Sequence, residues 1–172
     1  MKDIKILITK EQLQGRIIEL SKEIEKDYEG KKINFICILK GSIFFTTELA
    51  KNINRNVQID FLRVASYDGE DSKEVKLVAD LLPSIEGKDV IVIEDIVDTG
   101  KTLNYLIPYL KKMNPSSIKT CTLLDKPSRR IIPFEAEYVG FEIEDKFIVG
   151  FGLDYNQDYR NLPYIGYIEK ND

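Results

Sequence analysis

Val90-Ile91-Val92-Ile93-Glu94-Asp95-Ile96-Val97-Asp98-Thr99-Gly100-Lys101-Thr102-Leu103 is the stretch from which the rest of this chain can be read. Its first four residues are all β-branched, as in a strand buried on both faces of a parallel sheet. From Leu103 the apolar residues recur at Leu106, Ile107, Leu110 and Met113, which is one face of a helix. Glu94, Asp95 and the run Asp98 to Thr102 lie between the two. The polar cluster therefore sits outside the carboxyl end of a strand, where open α/β sheets bind ligands.

The two halves of this loop suit different chemistry. Asp98-Thr99-Gly100-Lys101-Thr102 offers backbone N–H groups, two hydroxyls and a glycine at a helix N-terminus, which together cradle a phosphate. Glu94 and Asp95 would repel that phosphate. Adjacent carboxylates instead accept hydrogen bonds from sugar hydroxyls or bind a Mg²⁺ held there. A sugar phosphate satisfies both halves. The Gly-Lys-Thr ending is not a P-loop, because that pattern needs glycine where this chain has Asp95.

Composition narrows the classes. With 172 residues the chain is long enough for one domain with a sizeable core, and no repeat or linker divides it. The net charge of −4 gives no general attraction to nucleic acid or an anionic membrane. No membrane span or signal peptide is expected, which points to the cytoplasm. Histidine is absent, so Ser-His-Asp triads and His-ligated zinc are excluded, and proton transfer falls to Asp, Glu, Lys or Tyr. Cys37 and Cys121 lie within apolar runs and read as buried thiols in a reducing compartment.

Outward from the central motif, strands and helices alternate. Ile4–Ile8 is a strand, and Thr9 with Gln12 forms a capping box for a helix carrying Leu13, Ile17, Leu20 and Ile24, stopped near Gly30. Ile33–Leu39 is a second continuous apolar strand, followed by a helix with Phe45, Leu49 and Ile53 on one face. Val57–Val64 and Val75–Leu82 pair as a two-stranded flap around a polar stretch, Asp68 to Glu74, able to stay mobile. Pro108 falls inside a helix and costs it a hydrogen bond. Further strands are expected at Ile118–Leu124, Tyr138–Ile143, Phe147–Phe151 and Tyr164–Ile168. The pattern is α/β with a mostly parallel sheet.

Leu39-Lys40-Gly41-Ser42 is a second strand-end loop with a cation, a glycine and a hydroxyl, a composition suited to a diphosphate. Lys126 follows another buried strand and precedes Pro127. Phe147 is an aromatic ring suited either to core packing or to stacking on a flat heterocycle.

The order hydrophobic run, two acids, two apolar residues, Asp-Thr-Gly-x-Thr resembles the phosphoribosyl-diphosphate (PRPP) signature of type I phosphoribosyltransferases. The segment Asp145 to Tyr155, with Tyr159-Arg160-Asn161-Leu162-Pro163, resembles the purine-binding segment of the 6-oxopurine branch. The resemblance covers nearly the whole chain in order and is nearest to the bacterial hypoxanthine (hypoxanthine-guanine) phosphoribosyltransferases. It implies an α/β fold over residues 1–172 as one domain, with a small hood and a flexible two-stranded flap. It implies transfer of the phosphoribosyl group of PRPP to hypoxanthine or guanine, with Mg²⁺ as cofactor, by a homo-oligomer, dimer or tetramer.

Carried over residue by residue, the resemblance places the ribose hydroxyls and Mg²⁺ at Glu94 and Asp95. Asp98 becomes the general base or acid near purine N7, and Asp98, Thr99, Gly100, Lys101 and Thr102 hold the 5′-phosphate. Pyrophosphate falls to Lys40, Gly41 and Arg160, with a non-proline cis peptide between Leu39 and Lys40. The purine falls to Ile96, Lys126, Phe147, Ile148 and Asp154, with Asp154 also a second metal ligand. Ser66 and Tyr67 match the flexible loop. Two rival readings stand beside this one. A non-catalytic nucleotide-sensing relative would show a basic face, which the acidic balance does not suggest. A transferase for xanthine or another base would share most of the same residues.

Overall fold

A computed structural model describes residues 3–68, 73–80 and 83–169. Its centre is β2 (Ile33–Leu39) beside β5 (Asp89–Val97), the two apolar runs. Their alternate side chains enter different cores, which is why neither strand alternates with polar residues. Phe35, Ile91 and Ile93 pack with Leu13, Ile17 and Leu20 of α1 (Lys10–Asp27) and with Phe45 and Leu49 of α2 (Ile43–Lys51). Ile36, Ile38, Val90 and Val92 pack on the other face with Leu103, Leu106 and Leu110 of α3 (Lys101–Lys111).

Around this pair the main sheet adds β3 (Val57–Asp68) and β4 (Lys73–Asp80) on one side, β6 (Ser117–Asp125) and β7 (Tyr138–Glu142) on the other. The order is β4-β3-β2-β5-β6-β7, parallel except for the β3–β4 hairpin. A second, antiparallel sheet joins β1 (Ile4–Ile8), β9 (Ile165–Ile168) and β8 (Phe147–Val149) in the order β1-β9-β8, forming the hood. Ile8, Ile148 and Ile165 tie it to the α1–α2 side of the core.

Parallel register aligns the loops. Cys37 lies opposite Ile93 and Val97 opposite Asp125. The segments beginning at Lys40, Asp98 and Lys126 therefore leave the sheet at one end, although up to 86 residues separate Lys40 from Lys126. Glu94 and Asp95, expected in the loop, lie inside β5 instead, because pairing with β6 continues to Val97.

Local signals agree with the sequence reading at most ends. Thr9 and Gln12 form both bonds of the capping box, a device worth about 1 kcal/mol. Gly30, at φ +74°, turns the chain after α1. Pro108 lies within α3 on its exposed side, so water can solvate the Asn104 carbonyl that loses its partner. Cys37 and Cys121 are free and buried.

Several boundaries differ. The strand expected at Val57–Val64 continues to Asp68, because its antiparallel ladder with β4 supplies partners as far as Lys73. β4 spans Lys73–Asp80 instead of Val75–Leu82, and residues 81–82 lie outside the described residues. The strand expected at Phe147–Phe151 ends at Val149, where Gly150 (φ +98°) and Phe151 (φ +47°) bend the chain away. Ile53 and Met113 lie just past the ends of α2 and α3 yet pack on the same cores as those helices. The backbone of Ser66 and Tyr67 pairs with Val75 and Glu74. Their side chains, and residues 69–72 of the stretch expected to be mobile, lie outside the described residues.

Candidate active site

The β2, β5 and β6 loops open onto a cavity of about 700 Å³. Its acidic side chains are Glu94, Asp95, Asp98 and Asp154, and its basic ones are Lys40, Lys101, Arg129 and Arg160. Ile96, Thr99, Gly100, Thr102 and Gly41 also line it. The residues expected for ribose, 5′-phosphate and pyrophosphate thus share one space. Four basic side chains face four carboxyl groups there, so the walls alone offer little positive charge to a polyanion.

β5 carries the acid pair within the last stretch of its ladder, two residues before it ends at Val97. Glu94 is buried, and its Oε1 accepts from the Asp95 N–H at 3.1 Å. Asp95 Oδ1 accepts from the Ile96 N–H at 2.7 Å. Burial, and secondarily the Asp95 charge, pushes Glu94 well above the ordinary carboxylate range; burial also pushes Asp95 up. Two such carboxylates suit hydroxyl donors or a hard divalent cation.

Next comes the cradle. Gly100 has φ +83° and begins α3, and a Cβ there would collide with the Ile132 carbonyl. Only glycine meets both demands. The Lys101 N–H lies 3.4 Å from Thr99 Oγ1. Asp98 carries a buried Oδ1 with no hydrogen-bond partner among the described residues, although Arg129 Nε stands 3.4 Å from it as an ion pair.

Opposite β5, the Leu39–Lys40 peptide is cis, as the resemblance implies. Gly41 follows with no room for a side chain, since Asp95 Oδ2 occupies the place of its Cβ. Lys40 Nζ donates to Gln157 Oε1 at 3.0 Å, and Arg160 Nη2 approaches the same oxygen at 3.3 Å. One neutral acceptor therefore joins the two cations assigned to pyrophosphate. Arg160 also donates to the Gly152 carbonyl and pairs with Asp154 at 2.7 Å.

Asp154 stands apart from the acid pair in its bonding. One of its oxygens faces Arg160 and the other accepts from the Gln157 N–H at 2.8 Å. Among the described residues no three His, Cys, Asp or Glu side chains gather into a metal cage.

The residues expected at the purine do not all line this cavity. Lys126 is buried, donates to the Lys146 carbonyl at 2.5 Å and lies 3.7 Å from Asp145. Asp145 in turn lies 3.6 Å from Arg129, which reaches the cavity. Phe147 is 46% exposed, edge-on to Tyr155 at 5.4 Å, so its face is not consumed by core packing. Ile148 is buried in the core. Arg129 and Gln157 were missed by sequence reasoning. The one available signal for Arg129 was a pair of arginines three residues beyond the strand-end lysine.

Comparison with known proteins agrees with this geometry. The family model of the phosphoribosyl transferase domain matches residues 6–156. A hypoxanthine-guanine phosphoribosyltransferase of Streptococcus thermophilus (strain CNRZ 1066) is 47% identical over 172 residues, covering 98% of this chain and 96% of the relative. One from Staphylococcus aureus (strain Mu50) is 48% identical over 163 residues, covering 94% of this chain and 91% of the relative. The crystal structure of a hypoxanthine-guanine phosphoribosyltransferase from Bacillus anthracis superposes with a TM-score of 0.92 at 47% identity, covering 97% of this chain and 100% of the other. With the acid pair, the glycine-capped cradle and the cis-peptide loop facing one cavity, this chain belongs to the phosphoribosyltransferase family.

Proposed function

We propose that the protein salvages purines by transferring the 5-phosphoribosyl group of PRPP to hypoxanthine or guanine, giving the nucleoside monophosphate and pyrophosphate. The observation that carries this reading is the single cavity into which the acid pair, the phosphate cradle and Lys40 with Arg160 all project. A sugar with phosphate at one end and diphosphate at the other is the ligand with that distribution of groups.

Breaking the C1–diphosphate bond leaves an electron-poor sugar. Glu94 and Asp95 hold the ribose hydroxyls, and the negative charge carried by this carboxyl pair stabilises the cationic ring in a site shielded from water. Lys40 and Arg160 receive the negative charge building on the departing diphosphate, once Gln157 yields its place between them. As the purine nitrogen bonds to C1, Asp98 takes its proton, a role open to an Oδ1 that accepts no hydrogen bond among the described residues. Lys126 donates to the purine 6-oxygen, Phe147 stacks on the ring, and Ile96, Ile148 and Asp154 border the base.

Mg²⁺ belongs to the same reading. The cavity's basic side chains, sharing it with four carboxyl groups, cannot neutralise PRPP, and Glu94 and Asp95, with Asp154 beside Arg160, are the residues that would hold it. When bound it supplies positive charge to the diphosphate and orients the ribose. Residues 1–172 act as one domain, in a cytoplasmic homo-oligomer, dimer or tetramer, with no nucleic-acid or membrane partner. Among the described residues no helix is long and apolar enough to cross a membrane.

The test is a PRPP-dependent assay with hypoxanthine, guanine, xanthine and adenine in parallel, releasing pyrophosphate. Turnover of hypoxanthine or guanine is expected; turnover of adenine alone, or of no base, overturns the reading.

A further inference from the structure

A loop that binds phosphate has to present N–H groups and turn its carbonyls aside, because a carbonyl oxygen facing a phosphate oxygen is repulsive. Three successive carbonyls at the entry to the cradle, those of Val97, Asp98 and Thr99, are engaged by the segment after β6. Val97 O accepts from the Lys126 N–H at 2.9 Å and from Arg130 Nη1 at 3.0 Å. Asp98 O accepts from the same Nη1 at 2.6 Å. Thr99 O accepts from the N–H groups of Ile131 and Ile132, both at 3.0 Å. The other arm of the guanidinium, Nη2, is ion-paired with Asp125 at the end of β6.

We infer that Arg130 is the positioning residue of the 5′-phosphate loop: aimed by Asp125, its planar fork holds the Val97 and Asp98 carbonyls away from the cavity and so turns the N–H face of residues 98–102 toward it. This rests on the reading of that loop as the 5′-phosphate cradle. Arg130 does not line the cavity itself, whereas its neighbour Arg129 does. Its side chain is only 14% exposed, so its bonds are little weakened by solvent. Lysine keeps the charge but is a point donor without a fork, and cannot hold two carbonyls and a carboxylate in one plane.

The test compares Arg130→Lys and Asp125→Asn with the unaltered protein, using inosine 5′-monophosphate and inosine as probes, together with melting curves and the KM values for PRPP and hypoxanthine. The unaltered protein should bind the monophosphate far more tightly than inosine. A ratio near one would remove the cradle, and the inference with it, whatever the variants do. With the preference present, Arg130→Lys should weaken the monophosphate roughly ten- to a hundredfold, the worth of a charge-assisted hydrogen bond. Inosine affinity and the hypoxanthine KM should stay within about threefold, while the PRPP KM rises. If both probes weaken equally, or neither does, Arg130 is a structural residue only and the inference falls. Should Arg130→Lys fail to fold, Asp125→Asn decides by the same ratio. The asparagine still accepts a hydrogen bond but no longer anchors the fork by charge, so a smaller selective loss of about three- to tenfold is expected, and an unchanged ratio overturns the inference.

Discussion

The carboxylate of Asp95 fills the place where a side chain on Gly41 would begin. The end of β5 and the loop after β2 are thereby nested without any spare volume. The Gly41 carbonyl, in turn, sits where a Cβ on Gly152 would go, so a third loop closes the nest. Substitution at Gly41 has to move the acid pair itself.

Gly41→Ala should therefore cut kcat/KM for PRPP by about a hundredfold or more and cost roughly 1–3 kcal/mol of stability through overpacking. Gly15→Ala is the contrast. That glycine lies on the exposed side of α1 with nothing within 4 Å of a Cβ, so alanine should stabilise by about 0.5–1 kcal/mol and leave kinetics unchanged. Thermal melting and steady-state kinetics on both variants check the pair; equal behaviour would contradict the nesting.

Dependence on a divalent cation should be strict. PRPP is a polyanion entering a cavity whose four basic side chains share the space with four carboxyl groups. Excess chelator should abolish turnover, and added Mg²⁺ should restore it. Full activity in chelator would show that Lys40 and Arg160 suffice.

Glu94 carries a pH signature. Its carboxyl is held above the ordinary value of 4.5 by burial and by Asp95, so the folded protein keeps a proton that the unfolded chain releases. Stability from this group is therefore lost as the pH climbs above about 4.5, the reverse of a salt-bridged carboxylate. In chelator, Glu94→Gln should melt higher than the unaltered protein, by a margin that grows from pH 5 to pH 8. Its PRPP-dependent activity should fall at least about tenfold. A margin independent of pH would mean Glu94 is ionised in the folded state.

Asp98→Asn keeps shape and some hydrogen bonding but cannot accept a proton. A loss of about 10²–10⁴ in kcat is expected with little change in the KM for PRPP. If kcat held within a few-fold while that KM rose, Asp98 would serve binding alone.

Lys126 should decide base choice. An ammonium has three donors and no acceptor, so it favours a 6-oxygen and sets donor against donor at the amino group of adenine. Lys126→Gln presents either polarity. The ratio of kcat/KM for hypoxanthine to that for adenine should shrink by an order of magnitude or more, and an unchanged ratio would remove Lys126 from the base site.

What the sequence determined by itself is local. The β-branched run of β5, the helical period from Leu103, the Thr9–Gln12 capping box and the glycine at the head of α3 each act within a few residues, so periodicity and caps expose them. The loops at Lys40, Asp98 and Lys126, and the acid pair before the second of them, could be recognised one by one for the same reason. Their meeting was decided by the tertiary structure, through the parallel register that sets Cys37 beside Ile93 and Val97 beside Asp125. That register brought Arg129 to Asp98, Arg130 to the carbonyls of the phosphate loop and Gly41 onto Asp95. Chain folding likewise placed Gln157 against Lys40, 117 positions away. Contacts between residues thirty to more than a hundred positions apart leave no periodic trace in the chain. They arise only when sheet register and close packing fix the distance between elements.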